Sequence, residues 1–139
     1  MPRIMGLDVG KKRIGVALSD ETNTIAAGLE VISVDKTQDP IKDIERIVRK
    51  YNIAEIVVGL PLNMNGSEGD AAIKVREFIT KVKALIDIEI QTFDERLTTK
   101  QGEDILIQAD MSRKKRKAVI DRLAAQIILQ AYLDMKKIS

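Results

Sequence analysis

The sequence predicts an α/β protein in which one mixed sheet carries helices on both faces. Three observations lead there. The first third of the chain reads as strands joined by short turns. From residue 39 onward, apolar residues at helical spacing alternate with short apolar runs, the order that builds βα units. The 139 residues, 45% of them apolar, supply one core of fair size, so a single domain spanning 1–139 is expected.

Each element has its own justification. Residues 3–9 (RIMGLDV) are apolar on both faces, as in a buried central strand. Gly10 to Arg13 form a turn, and residues 13–19 (RIGVALS) return close enough for a hairpin. After a turn over Asp20–Asn23, residues 24–34 form a third strand. Ile41, Ile44, Ile47 and Val48 share one helix face over 39–51, with Asp39 as the cap and Pro40 in the first turn. Residues 54–59 make a short buried strand, followed by the loop GLPLNMNGSEG with Asn65-Gly66 as its turn signal. Ser67 and Asp70 have capping-box-like spacing, so a helix is expected from near 68 to about 86. Residues 88–93 form the fifth strand, and Asp94-Glu95-Arg96 sit just past its end. Helices over about 99–109 and 113–137 complete the order β-β-β-α-β-α-β-α-α. The first strand should be central. Sites in open α/β sheets lie at the carboxyl ends of such strands, where Asp8, Gly59 and Asp94-Glu95 all fall.

Composition narrows the chemistry. The chain has no cysteine, histidine or tryptophan. That excludes disulfides, thiolate and imidazole catalysis, and thiolate or imidazole metal sites. A bound metal should be a hard, oxygen-seeking ion such as magnesium or manganese. The amino terminus lacks a signal-peptide core, and no apolar run approaches the roughly 20 residues of a membrane span. A cytoplasmic protein with no membrane partner is expected. The net charge of +2 hides a division: residues 1–110 carry 15 basic and 19 acidic side chains, residues 111–139 carry 8 and 2. Arg113, Lys114, Lys115, Arg116 and Lys117 are consecutive, a candidate polyphosphate contact or a solvated helix face. The few aromatics, Tyr51, Phe78, Phe93 and Tyr132, are scattered. Nucleic acid should therefore be read by backbone and shape rather than on a stacking platform.

Three carboxylates need explaining. Asp8 interrupts an apolar strand, which is costly unless it is paired, hydrogen-bonded or bound to a metal; otherwise it faces solvent or closes the Gly10 turn. Asp121 projects from the apolar stripe of the last helix, with Ala118, Ala125, Ile128, Leu129 and Tyr132 within about 80° on the helical wheel. Its alternative is an ion pair with Arg13 or Arg96. Glu95, beside Asp94, could also be an ordinary acidic helix start. Together, Asp8, Glu95 and Asp121 come from distant segments and converge on one sheet edge. Three hard carboxylates without histidine suit a magnesium site for phosphoryl transfer. In the loop, Asn63, Asn65 and Ser67 are polar groups at the rim, able to contact a phosphate or sugar or simply to shape the loop. Gly15 reads as a close backbone approach.

The segments GLDVGKKRIGVALSD, VVGLPLNMNGSEG, FDERLTT and VIDRLAAQIILQAYLD together resemble the YqgF/RuvX family of the RNase H-like superfamily, related to RuvC-type Holliday junction resolvases. The resemblance covers nearly the whole chain in order. It implies an RNase H-like fold and a hydrolase, a magnesium-dependent nuclease holding one or two Mg2+ or Mn2+ ions. Members are described as candidate pre-16S rRNA nucleases in ribosome maturation, and earlier as candidate Holliday junction resolvases. By motif position, the family's catalytic, metal-holding acids fall on Asp8, Glu95 and Asp121. Lys11, Arg13, Arg96 and the 113–117 cluster would then hold phosphates. One departure matters. RuvC-type resolvases usually carry a second acid three positions on in the last helix, where this chain has Ala124, and residues 59–62 also lack one. The expected activity is hydrolysis of structured RNA, with pre-rRNA as partner. The alternatives are cleavage of branched DNA and a non-catalytic RNA-binding assembly role. The protein would be a monomer or a weak homodimer. A fragment of an actin/sugar-kinase fold is disfavoured, because 139 residues are too few for the two domains that enclose ATP.

Overall fold

The computed structural model describes residues 2–34, 39–98 and 113–138. Five strands, β1 (Arg3–Val9), β2 (Arg13–Ser19), β3 (Ala26–Ser33), β4 (Ile53–Leu60) and β5 (Glu89–Asp94), form one sheet. Its order is β3-β2-β1-β4-β5. The β1–β2 and β2–β3 pairs are antiparallel, and the β1–β4 and β4–β5 pairs are parallel. The mixed sheet is therefore the one expected, with β1 at its centre. Helices α1 (Pro40–Lys50) and α2 (Asp70–Leu85) connect the parallel strands, and α3 (Arg113–Ile138) closes the chain. The helix expected over 99–109 lies outside the described residues. No helix among the described residues is long and apolar enough to cross a membrane.

The two-residue period of the strands sorts the core into two layers. From β1, Met5 and Leu7 join Ile14 and Val16 of β2 and Ile56 and Val58 of β4 beneath α1 and α2. Ile44 and Ile47 of α1 and Val75 and Val82 of α2 cover them. On the other face, Ile4, Ala17 and Val57 meet Ala125, Leu129 and Leu133 of α3. Fully burying such side chains contributes about 1.5–3 kcal/mol each. The same alternation puts Asp8, Arg13, Gly15 and Gly59 on the α3 face.

Asp39 caps α1 as expected, accepting from the Ile41 and Lys42 amides, with Pro40 at the first helical position. Two local expectations need correction. Ser67 does not cap α2: the helix starts at Asp70 behind Gly69, which offers no side-chain cap. The Ser67 hydroxyl instead donates to Asn65 Oδ1 at 2.6 Å. The third strand begins at Ala26 rather than 24, because the Asp20 carboxylate accepts from the Thr24 and Ile25 amides at 2.7 and 3.1 Å. Those bonds keep the two residues in the turn. Far from the sheet's carboxyl edge, buried Glu55 accepts from the Tyr132 hydroxyl at 2.6 Å and from Lys136 Nζ at 3.0 Å. This trio fastens the last turns of α3 to the start of β4.

Candidate active site

The carboxyl ends of β1, β4 and β5 bring the acids together. Asp8 is the penultimate residue of β1 and pairs in register with Gly15 of β2. Gly15 is a glycine for a steric reason: a Cβ there would overlap the Asp121 carbonyl. The sheet can therefore receive the third turn of α3 at backbone contact. Gly59 serves Glu95 in the same way. A Cβ at Gly59 would lie 2.8 Å from Glu95 Cγ and 2.6 Å from Ile128 Cδ1, so its absence lets the Glu95 side chain lie across the end of β4.

Glu95 opens a 3-10 turn, Glu95–Leu97, directly after β5. Its carboxyl is hydrogen-bonded to that of Asp8. Two carboxylates in such contact cannot both be ionised, so the pair holds a proton. Burial, reinforced by the Asp8 contact and the charges of Asp8 and Asp94, pushes Glu95 up to about 8. Burial also raises Asp8, with Asp121 adding repulsion and the bond to Glu95 opposing it.

Asp121 is close enough for its charge to act on Asp8, but its carboxylate is bound by Arg13, with Nε 2.5 Å from Oδ2. The ion pair weighed from the sequence is therefore present. Asp8 and Glu95 form a contacting pair, and Asp121 stands beside them in the grip of Arg13. Among the described residues, no group of three acids is arranged to hold a metal as it stands.

The remaining candidates divide. Arg96 turns away from Glu95 and forks onto Asp94, with contacts of 2.6 to 3.0 Å. This pairing holds Asp94 below the usual carboxylate range. Arg96 Nη1 also donates to the Met64 carbonyl at 3.1 Å, tying the β4–α2 loop to the acidic turn. That tether was not legible in the sequence, because its acceptor is a backbone oxygen. Asn63, Asn65 and Ser67 bond mainly to one another: Asn63 Nδ2 donates to Ser67 Oγ at 2.9 Å, and the Ser67 amide to Asn65 Oδ1 at 3.0 Å. Lys11 is exposed in the β1–β2 turn. The run Arg113–Lys117 forms the first turns of α3; its side chains lie outside the described set.

Similarity to known proteins fits this geometry. A family model described as RuvX, Holliday junction resolvase, matches residues 2–135. A protein of Desulforamulus reducens named "Putative pre-16S rRNA nuclease" is 54% identical over 132 residues, covering 95% of this chain and 96% of its own. One of the same name from Caldanaerobacter subterraneus is 53% identical over 136 residues, covering 97% and 98%. Among solved structures, Thermus thermophilus RuvC in complex with a Holliday junction superposes with a TM-score of 0.61 at 15% identity, covering 100% of this chain and 98% of that one. The fowlpox virus resolvase bound to Holliday junction DNA gives 0.55 at 15% identity, covering 96% and 98%. These two likenesses establish the RNase H-like fold. The family match along nearly the whole chain, with relatives at half identity or better, establishes that this chain belongs to the RuvX family.

Proposed function

We propose that the protein is a nuclease that hydrolyses phosphodiester bonds in structured RNA, with the 5′ end of pre-16S rRNA as its substrate. The observation that carries this reading is the half-buried Asp8–Glu95 pair at the carboxyl edge of the sheet, its repulsion relieved by a proton. The names of the relatives supply the substrate.

The donor set suits a hard divalent ion. All its atoms are carboxylate oxygens, and a cation neutralises two crowded carboxylates as the proton does. Asp8 and Glu95 would hold magnesium or manganese, one ion or two, and Asp121 would join them once released from Arg13. When bound, such an ion lowers the pKa of a coordinated water and neutralises charge on the phosphoryl oxygens. The chain's own residues do the rest. Partial burial limits the water around Glu95, Gly59 and Gly15 fix the spacing of β4, β2 and α3, and Arg13, freed from Asp121, would take a phosphate. Lys11, Arg96 and the run Arg113–Lys117 are assigned to the flanking backbone, with Asn63, Asn65 and Ser67 shaping the loop beside it.

Asp8→Asn should lower magnesium-dependent cleavage of a pre-16S rRNA 5′ fragment by about 10²–10³-fold, the usual cost of removing a group that stabilises transition-state charge. Equal cleavage by both proteins, or none by either, would sink the reading. A second reading, cleavage of four-way DNA junctions, is favoured by the likeness to two junction-bound resolvases. Ala124 and the acid-free residues 59–62 weigh against it. Junction cleavage in the same assay, with the RNA left intact, would reverse the order.

A further inference from the structure

A cavity of about 600 Å³ lies at the carboxyl edge of the sheet, walled by the start of α1 and the first three turns of α2, with Glu95 in its lining. Its walls are mainly apolar and include Ile14, Ile41, Val75 and Phe78. Lys11, Lys74 and Lys81 stand at its lining, all three exposed. None of their three ammonium groups enters an ion pair or hydrogen bond among the described residues. Three acids also line it. Asp39 is occupied by the amides at the start of α1, and Glu95 is bonded to Asp8, which leaves Glu77 to accept a hydrogen bond from an occupant.

We propose that this cavity takes one unpaired nucleobase adjoining the phosphate to be cleaved, so that the preferred substrate is a helix interrupted by a bulged or looped nucleotide. The volume falls within the range of about 300–1,000 Å³ typical of small-ligand sites. Apolar walls with one aromatic ring suit a base, since stacking on an aromatic face is indifferent to base identity. The three lysines suit the phosphates on either side of it. Glu95 belongs both to the cavity wall and to the acid pair. A base seated here therefore brings its own backbone to Asp8. A base inside a duplex cannot enter such a recess without leaving its stack, and that cost is lowest for a nucleotide already unpaired. The Glu77 carboxylate is an acceptor for a donor on the base edge, such as the exocyclic amine of adenine.

The proposal rests on the nuclease reading for its substrate class, and its test separates the two. Binding is measured by fluorescence anisotropy in EDTA, where no metal-dependent cleavage can occur. The probes are a labelled RNA hairpin with one unpaired adenine and the same hairpin fully paired. The wild type should prefer the bulged RNA by about tenfold or more, the order that stacking one base supplies. Ala71→Leu, which fills the cavity from an exposed helix position, should bring that preference close to unity while leaving affinity for the paired hairpin unchanged. Phe78→Leu keeps the apolar volume and removes the ring, and should lower the preference in the same direction. Equal binding of the two hairpins by the wild type, or a preference untouched by both variants, overturns the proposal. If that happens while Asp8→Asn still abolishes cleavage, only the base site falls. A bulge preference in a protein that cleaves nothing would instead uphold the site and refute the nuclease.

Discussion

Glu95 and Asp8 share a proton because the fold holds two half-buried carboxyls in contact. The consequence is a pH-dependent stability whose sign is opposite to that of most surface acids. Glu95 is raised from an ordinary 4.5 to about 8, so the folded state binds this proton more tightly than the unfolded chain does. The stabilisation is complete below about 4.5 and is lost as pH rises through about 8. In EDTA, the melting temperature should fall by about 3 °C or more between pH 5 and 9, since each kcal/mol moves it by roughly 2–4 °C at this size. Glu95→Gln should flatten that slope, because an amide donates to Asp8 without titrating. Magnesium should flatten it in the wild type by replacing the proton. A melting temperature that rises with pH, or a slope untouched by the substitution, would show that no such proton is held.

At the scale of elements, the contact between β2 and α3 decides where Asp121 sits. Gly15→Ala would drive a methyl group into the Asp121 carbonyl, and α3 would have to lift from the sheet. Overpacking of this kind costs about 1–3 kcal/mol. Because the displaced segment carries Asp121, cleavage should fall further than stability does. Denaturant unfolding and cleavage rate measured together would show it, and unchanged values in both would refute the close approach. The sequence makes much of this architecture legible. Unbroken apolarity marks β1 as central, Gly15 marks the close approach, and the apolar stripe around Asp121 marks the buried face of α3. What it does not carry is partner choice. Asp121 can face a metal or Arg13, and spacing cannot decide between them, because both arrangements satisfy a half-buried carboxylate. The start of α2 and the first residues of β3 are misread for a related reason. Ser67 and Asp20 each have several backbone and side-chain partners within reach, and loop geometry selects among them.

On the scale of the whole molecule, charge is unevenly placed. The first 110 residues are net acidic and the last 29 net basic, and the basic run Arg113–Lys117 occupies the start of α3 with no acid in its first turn. Cations at a helix N-terminus oppose the helix dipole, so this arrangement is unfavourable until a polyanion meets it. Its place along the chain suits that partner. At a rise of about 1.5 Å per residue, Lys117 lies about 6 Å and Arg113 about 12 Å along the axis from Asp121. That is one to two turns from the acid site, where the backbone flanking a scissile phosphate would run. Replacing Lys114, Lys115 and Lys117 together with alanine should weaken RNA binding uniformly across sequences. The slope of log K against log salt should become shallower by about 2–3, near one unit for each phosphate that the variant no longer neutralises. Alanine is also the better helix former, so the melting temperature should not fall. Titrations at several salt concentrations test this directly. An unchanged slope would mean that the run is only a solvated helix face, and the phosphates would then have to be held by Lys11, Arg13 and the lysines of α2.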